Sequence, residues 1–283
     1  MEAEERGRAV SAAVATAAAL GLAADDAVVL HDSNRLVLRL TPCDVVARVA
    51  ALGHFASAAL EVAVVDALVD APVAGLAAGV EPRVHRRDGF EISLWRFVPP
   101  TGALGDDDYA AALVRLHSSL LAVSLGTDRF TDRVTATVSW LEDAAVTPDL
   151  AAADRALLAG ALADLTVAIT SHDAPEQVLH GEPHPWNVLA APDGPLFVDF
   201  ENCTRGPVEY DLAWVPRRVA DRYPGTDPAL LDHCRGLVLA IIATHRWHRD
   251  DHHPSGRASG VAFLDVLRAG PPWPTHDEVT WSE

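Results

Sequence analysis

The chain has 283 residues, of which 49% are hydrophobic, so it can bury a large core and is expected to be globular. Its formal net charge of −18 argues against a nucleic-acid partner, because proteins that neutralise phosphates carry a basic surface, and it favours cationic small molecules. No segment approaches the ~20 apolar residues of a membrane span. The three scattered cysteines lack disulfide or zinc-site spacing. We therefore expect a cytoplasmic protein, as a monomer or a homodimer, without membrane contact.

Hydrophobic periodicity predicts a β-rich first part of the chain. A helix over 4–22 precedes β-type runs with polar breaks, which predict an antiparallel meander: 27–30, 35–40 and 44–50. A second helix is predicted over 55–69. Two further strands follow, over 79–86 and 90–97, and the Arg87-Asp88-Gly89 turn predicts that they form a hairpin.

The Pro99-Pro100 step breaks this pattern and is the candidate hinge between two lobes. Beyond it, five helices are predicted: 109–121, 134–145, 151–170, 228–247 and 258–269. Short β signals lie between them: 177–179, 188–190 and 196–200. The fold class predicted is α+β, with a small β-rich N-terminal lobe over 1–98 and a larger, mostly helical lobe over 99–283.

The sequence between Val178 and Trp214 carries the densest set of chemically useful residues. It begins with HGEPHPWN at 180–187, and a short β-type run then ends in Asp199-Phe200-Glu201. A polar loop followed by a strand that delivers a carboxylate can bring a catalytic group and metal-binding oxygens together. Each residue alone would be explained by a turn or a cap, but the ordered set indicates a metal–nucleotide site.

These motifs resemble the aminoglycoside phosphotransferase and choline kinase-like family, which has the protein-kinase fold. The family pattern is H-G-D-x-H-x-x-N, then D-F/W-E, then G-x-x-x-x-D-L-A, and this chain matches it at 180–187, 199–201 and 206–213. The one departure is Glu182, where the family has Asp. The resemblance implies a small-molecule kinase that moves the γ-phosphate of ATP or GTP to a hydroxyl group.

The resemblance also implies roles for the motif residues. Glu182 would orient the acceptor hydroxyl and accept its proton, with His184 as the alternative base. His180 would anchor the loop through hydrogen bonds. Asn187 and Asp199 would bind Mg²⁺, since amide and carboxylate oxygens suit this hard cation. Asp211 would hold the catalytic loop from below.

In the N-terminal lobe, the resemblance places a positively charged, phosphate-contacting residue at Arg48, where the family usually has Lys. The chain contains no lysine, and Arg can serve there because it stays charged and binds phosphates through two nitrogens. Glu61 would hold Arg48 as an ion pair. Ser33 and Asn34 would lie over the phosphates. The adenine is expected to bond to backbone before the hinge, at Phe97 and Val98.

Three questions stay open at the level of sequence. The leading acceptor class is an aminoglycoside-like antibiotic or a related amino sugar or amino alcohol, which would connect the protein with antibiotic resistance. The alternative function is a nucleotide-binding pseudokinase that acts as a sensor or scaffold, because Glu182 and Arg48 depart from the family pattern. Histidines at 245, 248, 252 and 253 have a spacing that a metal could use, but a solvated loop or an acceptor-binding role explains them better.

Overall fold

The computed structural model describes residues 3–32, 35–52, 58–68 and 70–281. The chain divides into two compact units, each built from three segments. The first unit contains Met1–Leu104, Ser118–Leu125 and Asn187–Asn202. The second contains Gly105–His117, Gly126–Trp186 and Cys203–Glu283.

The first unit contains a five-stranded antiparallel sheet with the strand order β1-β2-β3-β5-β4. Its strands are β1 (Ala24–Asp32), β2 (Leu36–Pro42), β3 (Val45–Ala51), β4 (His85–Arg87) and β5 (Phe90–Arg96). The first three strands are the predicted meander. The hairpin between β4 and β5 is also as predicted, because Asp88 and Gly89 both take positive φ, at 51° and 86°, as a tight hairpin turn requires.

One predicted strand is wrong for most of its length. The 79–86 run was expected to be a strand, but regular pairing begins only at His85. Gly79 has a φ of 75°, outside the β region, and Pro82 has no N–H to donate to a ladder. A segment with these two residues cannot form a continuous strand.

Helix α1 (Ala3–Ala19) covers one face of the sheet. Its buried face consists of small residues at helical spacing: Ala9, Ala12, Ala13, Thr16 and Ala17. These side chains let the helix approach the inward leucines of β2 closely: Leu36, Leu38 and Leu40. Successive strand residues point to opposite faces, so Ala47 and Val49 join this core while Arg48 points away from it.

The first unit also contains a short helix and a second hairpin. Helix α2 (Ala58–Ala67) precedes the sheet hairpin, and strands β7 (Val188–Ala191) and β8 (Gly194–Phe197) form a second hairpin. The predicted strand over 196–200 is too long, because β8 ends at Phe197 and a 3₁₀ turn occupies Phe200–Asn202. Asp199 lies between them with a φ of 67°, a left-handed conformation that ends the extended run.

The second unit is mostly helical. Helix α3 (Asp106–Leu120) begins in it, and six more of its helices lie in the described residues: α4 (Phe130–Glu142), α5 (Ala152–Thr170), α6 (Val208–Leu212), α7 (Arg217–Ala220), α8 (Pro228–Arg246) and α9 (Gly256–Ala269). A two-stranded ladder pairs β6 (Gln177–Leu179) with β9 (Thr204–Gly206). The long helices were predicted, whereas β9, α6 and α7 were not.

Helix α8 forms the centre of this unit. Asp227 caps its N-terminus by accepting hydrogen bonds from two backbone N–H groups, and Pro228 occupies the first turn, where no N–H is needed. The C-terminal segment packs within the second unit, because Trp273 and Val279 are buried and Arg217 pairs with Glu278 at 3.0 Å. Among the helices that the structure describes, none is long and apolar enough to cross a bilayer.

Candidate active site

Arg48 is the centre of an arginine–carboxylate cluster in the first unit. Its Nη1 donates to Glu61 Oε1 on helix α2, and its Nη2 donates to Asp199 Oδ1 at 2.8 Å. The Glu61 side chain is fully buried, and Asp199 is partly exposed. The strand position of Arg48 thus brings together three residues that the sequence singled out. Their roles in nucleotide and metal binding stay predictions.

A second arginine, Arg35, belongs to the same cluster and was missed at the sequence level. It is 5% exposed, donates from Nη1 to Glu61 at 3.0 Å, and pairs through Nη2 with Glu201 at 2.6 Å. The only sequence signal was a charged residue at the start of an aliphatic strand. Its role could not be inferred without knowing which residues it contacts in the folded chain. Glu201 therefore pairs with an arginine of the same cluster.

The charges in this cluster are strongly coupled. Burial alone would lower the pKa of Arg48, but Glu61 and Asp199 together raise it. Burial raises the pKa of Glu61, and the two guanidinium groups oppose that shift. Glu61 also accepts the Phe200 N–H at 3.2 Å. Three donors aimed at one carboxyl group are the arrangement of an ionised carboxylate, and we take Glu61 to be charged at neutral pH.

The β7–β8 hairpin brings the two predicted metal ligands near each other. Asn187 directly precedes β7, and Asp199 is the second residue after the end of β8. The Val198 N–H donates to the Asn187 carbonyl at 3.0 Å, which ties the two ends of the hairpin together. An amide oxygen and a carboxylate at adjacent strand ends form a hard donor set that fits Mg²⁺.

The residues after β5 include the predicted adenine contacts. The Phe97 N–H already donates to the Asp44 carbonyl at 3.1 Å. The centroid of the Phe97 ring lies 4.0 Å from Arg39 Cζ. Within the described residues, the Val98 N–H has no hydrogen-bond partner. Of the two amides, Val98 is therefore the one that can still donate to a base. Ser33 and Asn34 lie outside the described residues.

In the second unit, Asp211 holds the loop that carries the HGEPHPWN motif. It is fully buried and accepts the N–H groups of His180 and Gly181 at 2.9 and 2.8 Å, while its Oδ2 lies 3.0 Å from His117 Nε2. Gly181 has a φ of 91°, which a residue with a side chain would adopt only under strain. His180 is also fully buried and accepts the Glu182 N–H at Nδ1. This places His180 and Asp211 as anchors of the loop.

Glu182 is paired with an arginine that the sequence reading did not identify. Arg133, on helix α4, donates from Nη2 to Glu182 Oε1, and the two side chains are 19% and 17% exposed. Burial favours the neutral acid, but the charge and hydrogen bond of Arg133, with smaller contributions from His184 and His245, bring the pKa of Glu182 below its ordinary value. Glu182 is therefore ionised at neutral pH.

Aromatic and imidazole rings surround this ion pair. The ring centroids of His184 and His276 each lie about 6 Å from that of Trp214, and the Arg133 guanidinium lies 5.3 Å from the Trp214 ring. His184 is thus part of a ring cluster, and its use as an alternative base stays a prediction.

Two of the four histidines at 245–253 contact a tryptophan. The rings of His245 and His248 lie 4.7 and 4.9 Å from Trp140, while those at 252 and 253 are exposed. In the part of the chain that the structure describes, no group of three or more His, Cys, Asp and Glu side chains is arranged to hold a metal. The metal interpretation of these histidines therefore has no structural support.

Comparisons with known proteins identify the family and the fold of the chain. The family model described as the phosphotransferase enzyme family matches residues 15–249. A search of curated proteins gave no match. Among solved structures, the amicoumacin kinase hAmiN with AMP-PNP and Ca²⁺ is similar over 99% of this chain and 100% of its own, at 13% identity and a TM-score of 0.68.

Two further structures share the fold. The GDP and kanamycin complex of an aminoglycoside phosphotransferase covers 88% of this chain and 94% of its own, at 14% identity and a TM-score of 0.63. A spectinomycin phosphotransferase with ADP and spectinomycin covers 93% and 95%, at 12% identity and a TM-score of 0.59. These likenesses confirm the protein-kinase-like α+β fold. The chain belongs to the phosphotransferase enzyme family.

Proposed function

We propose that this phosphotransferase moves the γ-phosphate of ATP or GTP to a hydroxyl group of a small molecule. The observation that carries the proposal is the double contact of Arg48, which links Glu61 of helix α2 to Asp199 beyond β8. A cation held by a helix carboxylate next to a carboxylate that can bind a metal is the arrangement that protein kinases use for phosphoryl transfer. The family membership supports the same chemistry.

Each residue then has a defined task. Arg48 contacts the phosphates, and Glu61 and Arg35 keep its charge in place. Asn187 and Asp199 hold Mg²⁺, which when bound neutralises charge on the phosphate oxygens. The Val98 N–H donates to the base. Glu182, five residues before Asn187 in the chain, orients the acceptor hydroxyl and accepts its proton.

For the acceptor, we propose an aminoglycoside-like antibiotic, amino sugar or amino alcohol. The net charge of −18 attracts cationic molecules, and two of the structural relatives are complexes with kanamycin and spectinomycin. Trp186 adds a contact surface, because its side chain is 91% exposed on the same loop as Glu182. An exposed indole can stack on the apolar face of a sugar ring.

The test is a kinase screen in which phosphorylated product is detected by mass. The panel contains aminoglycosides, peptide antibiotics, amino alcohols and sugars, each with MgATP and with MgGTP. We expect Mg²⁺-dependent transfer to at least one acceptor, abolished in Glu182→Ala and Asp199→Ala. Nucleotide binding without transfer to any panel member would refute the proposal and favour a pseudokinase.

A further inference from the structure

The catalytic carboxylate of this chain is longer than that of its family. A glutamate at 182 extends about 1.5 Å further from the backbone than the family's Asp. Misplacement of a catalytic group by about 1 Å can cost roughly 100-fold in rate. A working glutamate therefore needs a partner that fixes where its carboxylate lies.

Arg133 has the geometry of such a partner. It reaches Glu182 from helix α4, across 49 residues of sequence, and its Nη2 donates a charged hydrogen bond to Glu182 Oε1, which limits where that oxygen can lie. Arg133 is itself held, since its Cζ lies 5.3 Å from the centre of the Trp214 ring. Trp214 follows α6, the helix whose Asp211 binds the loop amides. The arginine and the loop therefore depend on the same segment of the chain.

The groups around Glu182 determine its charge. Arg133 faces it from α4, His184 from its own loop, His245 from α8, Tyr210 from α6 and His276 from the C-terminal segment. Burial lowers the pKa of both His245 and His276, so these rings are neutral at pH 7. Arg133 is thus the main positive charge that offsets the burial of Glu182. Without it, burial would raise the pKa of Glu182 above its ordinary value.

Building on the proposed kinase function, we propose that Arg133 is the positioning residue that lets a glutamate act at position 182. It sets the reach of the carboxylate and keeps it ionised, so that it can orient a hydroxyl and take its proton.

The experiment compares Arg133→Gln and Arg133→Lys with the wild type in MgATP turnover with the acceptor panel. Arg133→Gln should lower kcat roughly 10- to 100-fold, with the KM for ATP unchanged, and should move the acid limb of the pH profile to higher pH. Arg133→Lys keeps the charge but not the planar fork, so it should lower kcat and leave the acid limb in place. If Arg133→Gln does not fold, the test rests on Arg133→Lys. A kcat equal to that of the wild type would then overturn the positioning role.

The matched control is Arg129→Gln. Arg129 lies at the start of the same helix and also pairs with a glutamate, Glu176, but it is 52% exposed. Its loss should change neither kcat nor the pH profile. Titration of ¹³C-labelled glutamate by NMR, with Glu182 assigned through Glu182→Gln, should show a higher pKa for Glu182 in Arg133→Gln than in the wild type.

The outcomes separate the two proposals. An active wild type whose kcat, acid limb and Glu182 titration are unchanged by Arg133→Gln would overturn the positioning role alone. A wild type that transfers phosphate to no acceptor would overturn the kinase function and the positioning role with it, while the NMR titration would still report the ion pair.

Discussion

Glu61→Gln is the sharpest test of the arginine–carboxylate cluster. The Glu61 side chain is fully inaccessible and accepts from Arg35, Arg48 and the Phe200 N–H. Glutamine keeps the shape and can still accept the Phe200 hydrogen bond. It cannot neutralise two guanidinium groups, and its own NH₂ group would face one of them. The substitution therefore removes charge from the cluster with little change in packing.

The expected loss of unfolding free energy is about 3 to 5 kcal/mol, because removing one partner of a buried ion pair leaves the other charge uncompensated. Such a loss is a large part of the roughly 5 to 15 kcal/mol that stabilises a typical domain. Urea denaturation followed by circular dichroism measures it. Turnover should also fall, because Arg48 loses the carboxylate that holds it beside Asp199.

Glu91→Gln is the control for this prediction. Glu91 lies in the same sheet, on β5, but its partner Arg86 is 73% exposed, and exposed ion pairs contribute only about 0 to 1 kcal/mol. If Glu61→Gln cost no more than Glu91→Gln, the charge reasoning would be refuted. That result would mean that Asp199 and Glu201 alone suffice to balance the two arginines.

Three further predictions concern the second unit. Burial lowers the pKa of His245 from 6.5 to about 4, so the unfolded chain takes up a proton first and stability should fall as the pH drops from 6.5 towards 4. The ring is partly exposed, so we expect the free energy of unfolding at pH 5, measured by urea denaturation, to fall by about 1 to 2 kcal/mol. This loss should be absent in His245→Gln and should remain in His252→Gln. Trp186→Ala should raise the acceptor KM roughly 2- to 10-fold and change the melting temperature little, since the indole is 91% exposed; an unchanged KM would exclude stacking. Asp211→Asn should cost about 1 to 3 kcal/mol and lower kcat, because the His180 and Gly181 amides lose a charged acceptor; wild-type kcat would show that the loop needs no such anchor.

Local sequence patterns predicted most of the regular structure. The alternating leucines of β2 and the alanine face of α1 have clear periods, and both elements form where expected. The 79–86 strand failed because hydrophobicity was weighed without the backbone limits of Gly79 and Pro82. Asp199 was placed on a strand for a similar reason, since nothing in its neighbours signals a left-handed residue.

The motif residues were found because they are close together in sequence, whereas their arginine partners are not. Arg35 contacts a carboxylate 26 residues away, and Arg133 contacts one 49 residues away. Neither arginine belongs to a motif: Arg35 is the first residue of the predicted 35–40 strand, and Arg133 directly precedes the predicted 134–145 helix. Side-chain pairing across elements depends on packing, which hydrophobic periodicity does not specify.

The absence of lysine has a structural consequence at position 48. A guanidinium carries separate nitrogens at fixed angles, and Arg48 uses Nη1 for Glu61 and Nη2 for Asp199. One side chain thereby joins strand β3, helix α2 and the turn after β8, while Arg35 balances the second oxygen of Glu61 and the neighbouring Glu201. A lysine would bring a single nitrogen on a flexible stem to the same place. Because the network uses two nitrogens of one planar fork, we expect arginine at position 48 to hold the cluster together better than lysine.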